Sequence, residues 1–289
     1  MKPARLFPVL RMAALLMSVV LAGGAEGPPR RIISASPDIT EILYGIGAFD
    51  RVVAVSDYCT YPPAVKNLPR IGKWEDANLE EIVTLRPDLV IFTEAQTPFL
   101  ADHLRSLGVH YLAVPSRSLN DVFASIDLIG KATGHEAQAQ QLAAQVHSRL
   151  DAVSARTRAL PRRRVLLVVD RTPGTLRDLY IATQGSFLCS LVEIAGGQCA
   201  GTPAAAGYVR IGKEAIVELA PEAIIDFVHG AASRLGEDPH AVWGDLRELQ
   251  AVRAGRVYPV RNEFLPHPSQ FVADTAELFA RILHPEAVR

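Results

Sequence analysis

The chain is poor in the residues and motifs that announce an enzyme. Its 289 residues include two tryptophans, three methionines and three cysteines. No G-x-S-x-G elbow, phosphate-binding P-loop or H-E-x-x-H helix occurs, so neither the common hydrolase nor the nucleotide-cleaving plans are written into it. Its eight histidines are scattered without an H-x-x-x-H pair, which argues against a catalytic metal. "GIGAFD" at 45–50 begins like a dinucleotide fingerprint. It carries Asp50 where the third glycine belongs, and it follows a helical pattern, so it reads as a helix end. No charge excess is present, with 30 basic against 31 acidic residues, and nothing points to nucleic acid. Beyond the N-terminus no apolar run is long enough to span a bilayer.

What is present starts with a leader. Lys2, Arg5 and Arg11 precede the apolar run "MAALLMSVVLA" and the small residues "GGA". That layout predicts a secretory signal peptide over residues 1–25, cleaved near Ala25, and hence a periplasmic protein. No cysteine follows the run, so a lipid anchor is not expected. Loss of the leader removes those three basic residues and no acid, leaving 27 against 31, net −4. In an oxidising compartment three cysteines leave one unpaired. Cys189 and Cys199 stand ten residues apart across a helical stretch, and a bridge and two buried thiols are both open readings. Cys59 reads as a shielded thiol.

The strongest internal signal is a repeat. "LEEIVTLRPDLVI" from Leu79 returns as "KEAIVELAPEAII" from Lys213. Apolar residues three and four apart predict a short helix, ended by Pro87 or Pro221, which lack an N–H. An apolar run then predicts a buried strand. Around the first copy the pattern gives strands at 31–36, 51–56 and 109–115 and helices at 38–47 and 98–107. Asp38 is expected as N-cap, with Glu41 as its capping-box partner. Around the second copy it gives strands at 164–170 and 256–260 and helices at 185–196 and 269–283. The expected fold is therefore α/β: two Rossmann-like lobes with mostly parallel sheets. The lobes are expected at 30–134 and 162–289. Between them 135–161 reads as one amphipathic helix, its 135–160 stretch about 38 Å long at 1.5 Å per residue.

Taken together, "SDYCTYPP", "KWEDANLEEIVTLRPDLVIF", the interlobe helix and "GYVRIGKEAIVELAPEAII" resemble the periplasmic substrate-binding proteins of ABC importers. The resemblance covers the whole mature chain. It is to the helix-linked class that carries vitamin B12, iron–siderophores and haem, and most of all to its B12-binding branch. It implies a monomer that needs no intrinsic cofactor, captures a metal chelate between its lobes, and delivers it to a permease dimer with its ATPase subunits. It implies that Glu80 and Glu214 dock on the two permease subunits. Tyr58, Trp74, Tyr208 and Phe264 match the aromatic cleft positions, while Glu263 and His267 are placed to hydrogen-bond amide side groups of cobalamin. The chain departs from the B12 pattern at Thr93-Glu94, where that branch has a further tryptophan, and at Tyr208. A ferric siderophore would call on arginines such as Arg171 and Arg177. Haem would call on an axial ligand, with Tyr58, Tyr208 or His267 as candidates. A two-lobed enzyme acting on a metal chelate is the remote alternative.

Overall fold

The computed structural model describes residues 27–202, 207–228, 237–261 and 265–286. The expected leader, Glu263 and Phe264 lie outside these residues. Among the described residues there are two sheets, one drawn from the first half of the chain and one from the second.

The first sheet comprises β1 (Ile32–Ser34), β2 (Val52–Val55), β3 (Leu89–Thr93) and β4 (Tyr111–Val114). Their order is β2-β1-β3-β4, with every pairing parallel. The helices α1 (Pro37–Gly45), α2 (Leu79–Thr84), α3 (Thr97–Ser106) and α4 (Leu119–Thr133) alternate with these strands or follow them. Ile33, Val90 and Phe92 face Ile82, Leu100 and Leu104 in one cluster. Ile32 and Ile91 join Ile39, Leu43, Ile126 and Ile129 in another. The alternation of faces along the strands fixes the sandwich.

The helix α5 (Glu136–Thr157) is continuous over 22 residues, about 33 Å. It meets α4 at a hairpin turned by Gly134, whose φ of 72° is left-handed. The sequence reading overlooked α4. Its cue was legible, because Ser118 and Asp121 form a capping box, each bonding the other's backbone N–H.

The second half supplies β5 (Arg164–Asp170), β6 (Leu179–Ala182), α6 (Phe187–Ile194), β7 (Gln198–Cys199), β8 (Tyr208–Ile211), α7 (Lys213–Leu219) and β9 (Ala223–Phe227). After them come α8 (Pro239–Trp243), α9 (Gln250–Arg253), β10 (Val257–Val260) and α10 (Val272–Leu283). The strand order is β10-β9-β5-β6-β8, with β7 beside β5. This sheet is mixed, though most of its pairings are parallel. β10, β9, β5 and β7 are parallel, whereas β6 pairs antiparallel with both β5 and β8. β6 comes back from β5 through the short turn 171–178, too short for the crossover that a parallel neighbour needs.

The repeat is now explained. In each half the strand of the repeated unit lies between the half's first and last parallel strands: β1-β3-β4 and β5-β9-β10. The residue before each proline, Arg86 or Ala220, takes a positive φ of 45° or 43°, so even the helix-terminating turn is duplicated. α5 binds both halves into one core through Ala139, Val146, Leu150 and Val153. Arg149 on α5 makes a two-pronged contact with Asp274 of α10 at 2.9 and 3.1 Å. Cys189 and Cys199 are bridged, with their Cα atoms 5.4 Å apart, and Cys59 is the free, buried thiol.

Candidate functional site

Ligands of open parallel sheets sit beyond the carboxyl ends of the strands. In the first lobe that end is built from two loops. Residues 56–61 follow β2, and residues 70–78 run alongside, bonded to β2 through Ile71 N to Val55 O at 3.0 Å. Asp57 N donates to Gly72 O at 2.9 Å, so the loops of Tyr58 and Trp74 are tied together. Gly72 has a φ of +90°, and a β-carbon there would lie 2.6 Å from Asp76 O; only glycine permits this turn. Gln96, buried, donates to Ala35 O at 3.2 Å and to Trp74 O at 3.3 Å. Thr93 and Gln96 form a capping box where the B12 pattern would place an indole. Trp74 is half-buried and lies 6.0 Å from the ring of Phe99, itself exposed. Tyr58 is 50% exposed.

In the second lobe Tyr208 opens β8 and pairs with Ala182. Its ring stacks on Tyr180, the centroids 5.9 Å apart and the planes 19° apart. Burial and the neighbouring Tyr180 push the Tyr208 phenol up from its usual range. A β-carbon on Gly207 would stand 3.4 Å from Arg117 Cγ of the first lobe, so Tyr208 borders the lobe boundary. No ring contact joins Tyr58, Trp74 and Tyr208 to one another among the described residues. Tyr180 was missed by the sequence reading. Its signal was the alternation in "DLYIA", with Leu179 and Ile181 inward and Tyr180 outward.

His267 reaches across to α1. Its Nδ1 lies 2.7 Å from Glu41 Oε1, Ser269 Oγ donates to Glu41 Oε2 at 2.5 Å, and Gln270 Nε2 donates to Glu41 O at 2.8 Å. Glu41 is therefore no capping partner. The N-cap of α1 is Ser36 followed by Pro37, and Ser36 Oγ instead bonds Asp38. Pro37 occupies the first helical position, which it favours, and moves the helix start ahead of Asp38. This leaves Glu41 to cross to the other lobe. Glu41, Tyr44 and Gly45 share one face of α1. Tyr44 meets Tyr61 edge-on, and Tyr61 meets Phe271 of the second lobe, each at 5.2 Å. Asp38, fully buried behind this contact, is pushed up to about 6 by desolvation, with Ser36 and His267 opposing the rise and Glu41 adding to it. Burial raises the Cys59 thiol too, although Ser56 and Thr40 contact its sulfur.

Arg171 is withdrawn from any ligand role. It is buried, donates to Asp226 Oδ2 at 2.9 Å and to Thr175 O at 3.2 Å, and pairs with Glu237. Trp243 Nε1 shares Asp226 at 3.0 Å. A buried arginine with two carboxylates is structural before it is anything else. Arg177 is exposed.

Glu80 and Glu214 stand at matching places, in the first turns of α2 and α7. Both are exposed. Among the described residues neither carboxylate makes an ion pair or a side-chain hydrogen bond, even though Lys213 next to Glu214 pairs with Asp245.

The sequence pattern of the periplasmic binding protein family matches residues 32–263. The chain belongs to that family. A vitamin B12-binding protein of Yersinia pestis (strain Pestoides F) is 28% identical over 245 residues, 84% of each chain. The periplasmic vitamin B12 binding protein BtuF of Vibrio cholerae is similar in structure, with a TM-score of 0.75 and 26% identity over 89% of this chain and 97% of that one. The periplasmic heme-binding protein RhuT of Roseiflexus sp. RS-1 gives 0.74 and 25% over 88% and 98%. These relatives are binding proteins, not enzymes. Family membership also accounts for the two-lobed α/β fold on a helical spine. No helix among the described residues is long and apolar enough to cross a membrane.

Proposed function

We propose that this periplasmic binding protein captures cobalamin, or a related corrinoid, between its lobes and delivers it to an ABC permease dimer driven by ATPase subunits. In this reading residues 1–25 are a leader removed near Ala25, and the mature chain acts as a periplasmic monomer. Lobes 30–134 and 162–289 flank the spine 135–161. Tyr58, Trp74 and Tyr208, with Tyr180 added, grip the macrocycle; Phe264 and Glu263, outside the described residues, are assigned to the same site by the family resemblance alone. His267 braces the lobes through Glu41 at the ligand's edge. Aromatic faces suit a flat, partly apolar guest because they offer large contact area at small entropic loss. Glu80 and Glu214 then meet arginine-bearing sites on the two permease subunits, charge-assisted contacts that set orientation more than affinity.

The observation that carries the corrinoid choice over a ferric siderophore is the state of Arg171. Of the two arginines a ferric siderophore would call on, Arg171 is spent on Asp226 and Glu237, leaving Arg177 alone, while the loops at the strand ends offer aromatic rings. Haem is the second reading, favoured by the likeness to RhuT and by the exposed Tyr58 phenol as an axial ligand. Absorbance and tryptophan-fluorescence titrations with cyanocobalamin and with haemin separate the two. Stoichiometric cobalamin binding without chemical change is expected; a Soret shift with haemin and no response to cobalamin reverses the assignment.

A further inference from the structure

The two copies of the repeated unit share more than a glutamate. Over 79–87 and 213–221 five positions are identical: Glu80 and Glu214, Ile82 and Ile216, Val83 and Val217, Leu85 and Leu219, Pro87 and Pro221. Folding explains three of them. Ile82 and Ile216 are fully buried, the leucines pack against the cores, and the prolines end the helices. The glutamates and valines are exposed; a first-turn acid suits the helix dipole, but core packing explains neither the glutamates nor the valines. Val83 and Val217 are each 43% exposed. The neighbouring exposed positions have diverged, with Thr84 against Glu218 and Arg86 against Ala220. One exposed valine is unremarkable; the same valine kept in both copies beside the same unpaired acid is a pattern. Three residues apart on a helix, each Glu–Val pair lies on one face, about 5–6 Å between β-carbons.

We infer that Glu80–Val83 and Glu214–Val217 are two copies of one contact, a carboxylate beside an apolar knob, used simultaneously. Only a partner presenting two equivalent surfaces engages both at once, each surface offering a cation next to an apolar hollow. The occupant is thus a twofold-symmetric permease dimer, and this inference rests on the docking reading above. The carboxylate supplies orientation and the valine supplies desolvated area around it, the arrangement in which interface charges count most.

The test uses the mature protein, fluorescently labelled, binding to proteoliposomes that carry its importer. The variants are V83S/V217S, E80A/E214A, each valine changed alone, and L107S/L128S as exposed apolar controls outside the repeated residues. Cyanocobalamin binding and thermal midpoint verify that every variant is folded. V83S/V217S should weaken permease binding about a hundredfold, about tenfold for each valine, while the control pair binds like wild type. If V83S/V217S binds like wild type while E80A/E214A fails, the valine contact is overturned and glutamate docking stands. If both pairs bind like wild type, the docking reading falls. If one valine carries the whole loss, the twofold contact is wrong.

Discussion

Replacing Glu41 by alanine should strike the joint between the lobes. Glu41 is buried, and it accepts from the His267 ring at 2.7 Å and from Ser269 at 2.5 Å. The truncation leaves both partners without their acceptor and opens space where a carboxylate was packed. Hydrogen bonds to a charged group contribute about 1.5–3 kcal/mol each, and removal of one member of a buried polar pair costs about 3–5 kcal/mol. Glu41→Ala should therefore cost about 3–5 kcal/mol, or about 6–15 °C in the melting midpoint for a chain of this size. Glu41→Gln keeps the volume and one acceptor and should cost about 1–2 kcal/mol. Ser269→Ala should cost about the same, and the double variant Glu41→Ala/Ser269→Ala should cost less than the sum of the single ones, because both act on one contact. Calorimetric melts at pH 7.5 read all of this. A Glu41→Ala midpoint within about 2 °C of wild type, or strict additivity with Ser269→Ala, would refute the idea that this carboxylate pins the lobes.

Three further outcomes are expected. Asp38 has a folded-state pKa of about 6 against 3.8 unfolded, so the folded protein holds the extra proton between these values, and the group's stabilisation, present in acid, is lost as pH rises through 6. Asp38→Asn should then gain on wild type by about 2–3 kcal/mol between pH 4 and pH 7.5; a pH-independent difference contradicts the assignment. At Gly130 a β-carbon would fall 2.4 Å from Ala139 Cβ. The helix-propensity gain of Gly130→Ala, about 1 kcal/mol, should lose to overpacking of about 1–3 kcal/mol, and a higher melting midpoint would count against so close a helix approach. Loss of the bridge in Cys189→Ala/Cys199→Ala, which spans ten residues, should cost about 2.5–3 kcal/mol on chain-entropy grounds; an unchanged urea midpoint would say otherwise.

The repeat, the spine and the α/β class were legible because their signals are local: apolar spacing, prolines at helix ends, and runs of buried strand residues. The direction of β6 was not, since a four-residue strand carries no mark of its partner. Glu41 shows the limit more sharply. "SPDITE" fits two caps equally well, and Pro37 tips the choice to Ser36, which frees the glutamate for a partner 226 residues away. Arg171 likewise looked available until Asp226, Glu237 and Trp243 closed around it. Pairing at such distances is a property of topology, and periodicity does not record it.

The spine has no bare span along which to bend. Its start is pressed on α4 where Gly130 meets Ala139, its middle is held to α10 by Arg149, and Thr157 at its end donates to Ile194 O at 2.6 Å. Such a spine should hold the lobes like welded jaws, so that any cargo must be admitted by side chains and short loops. Small-angle scattering of the empty and the filled forms should be nearly superimposable.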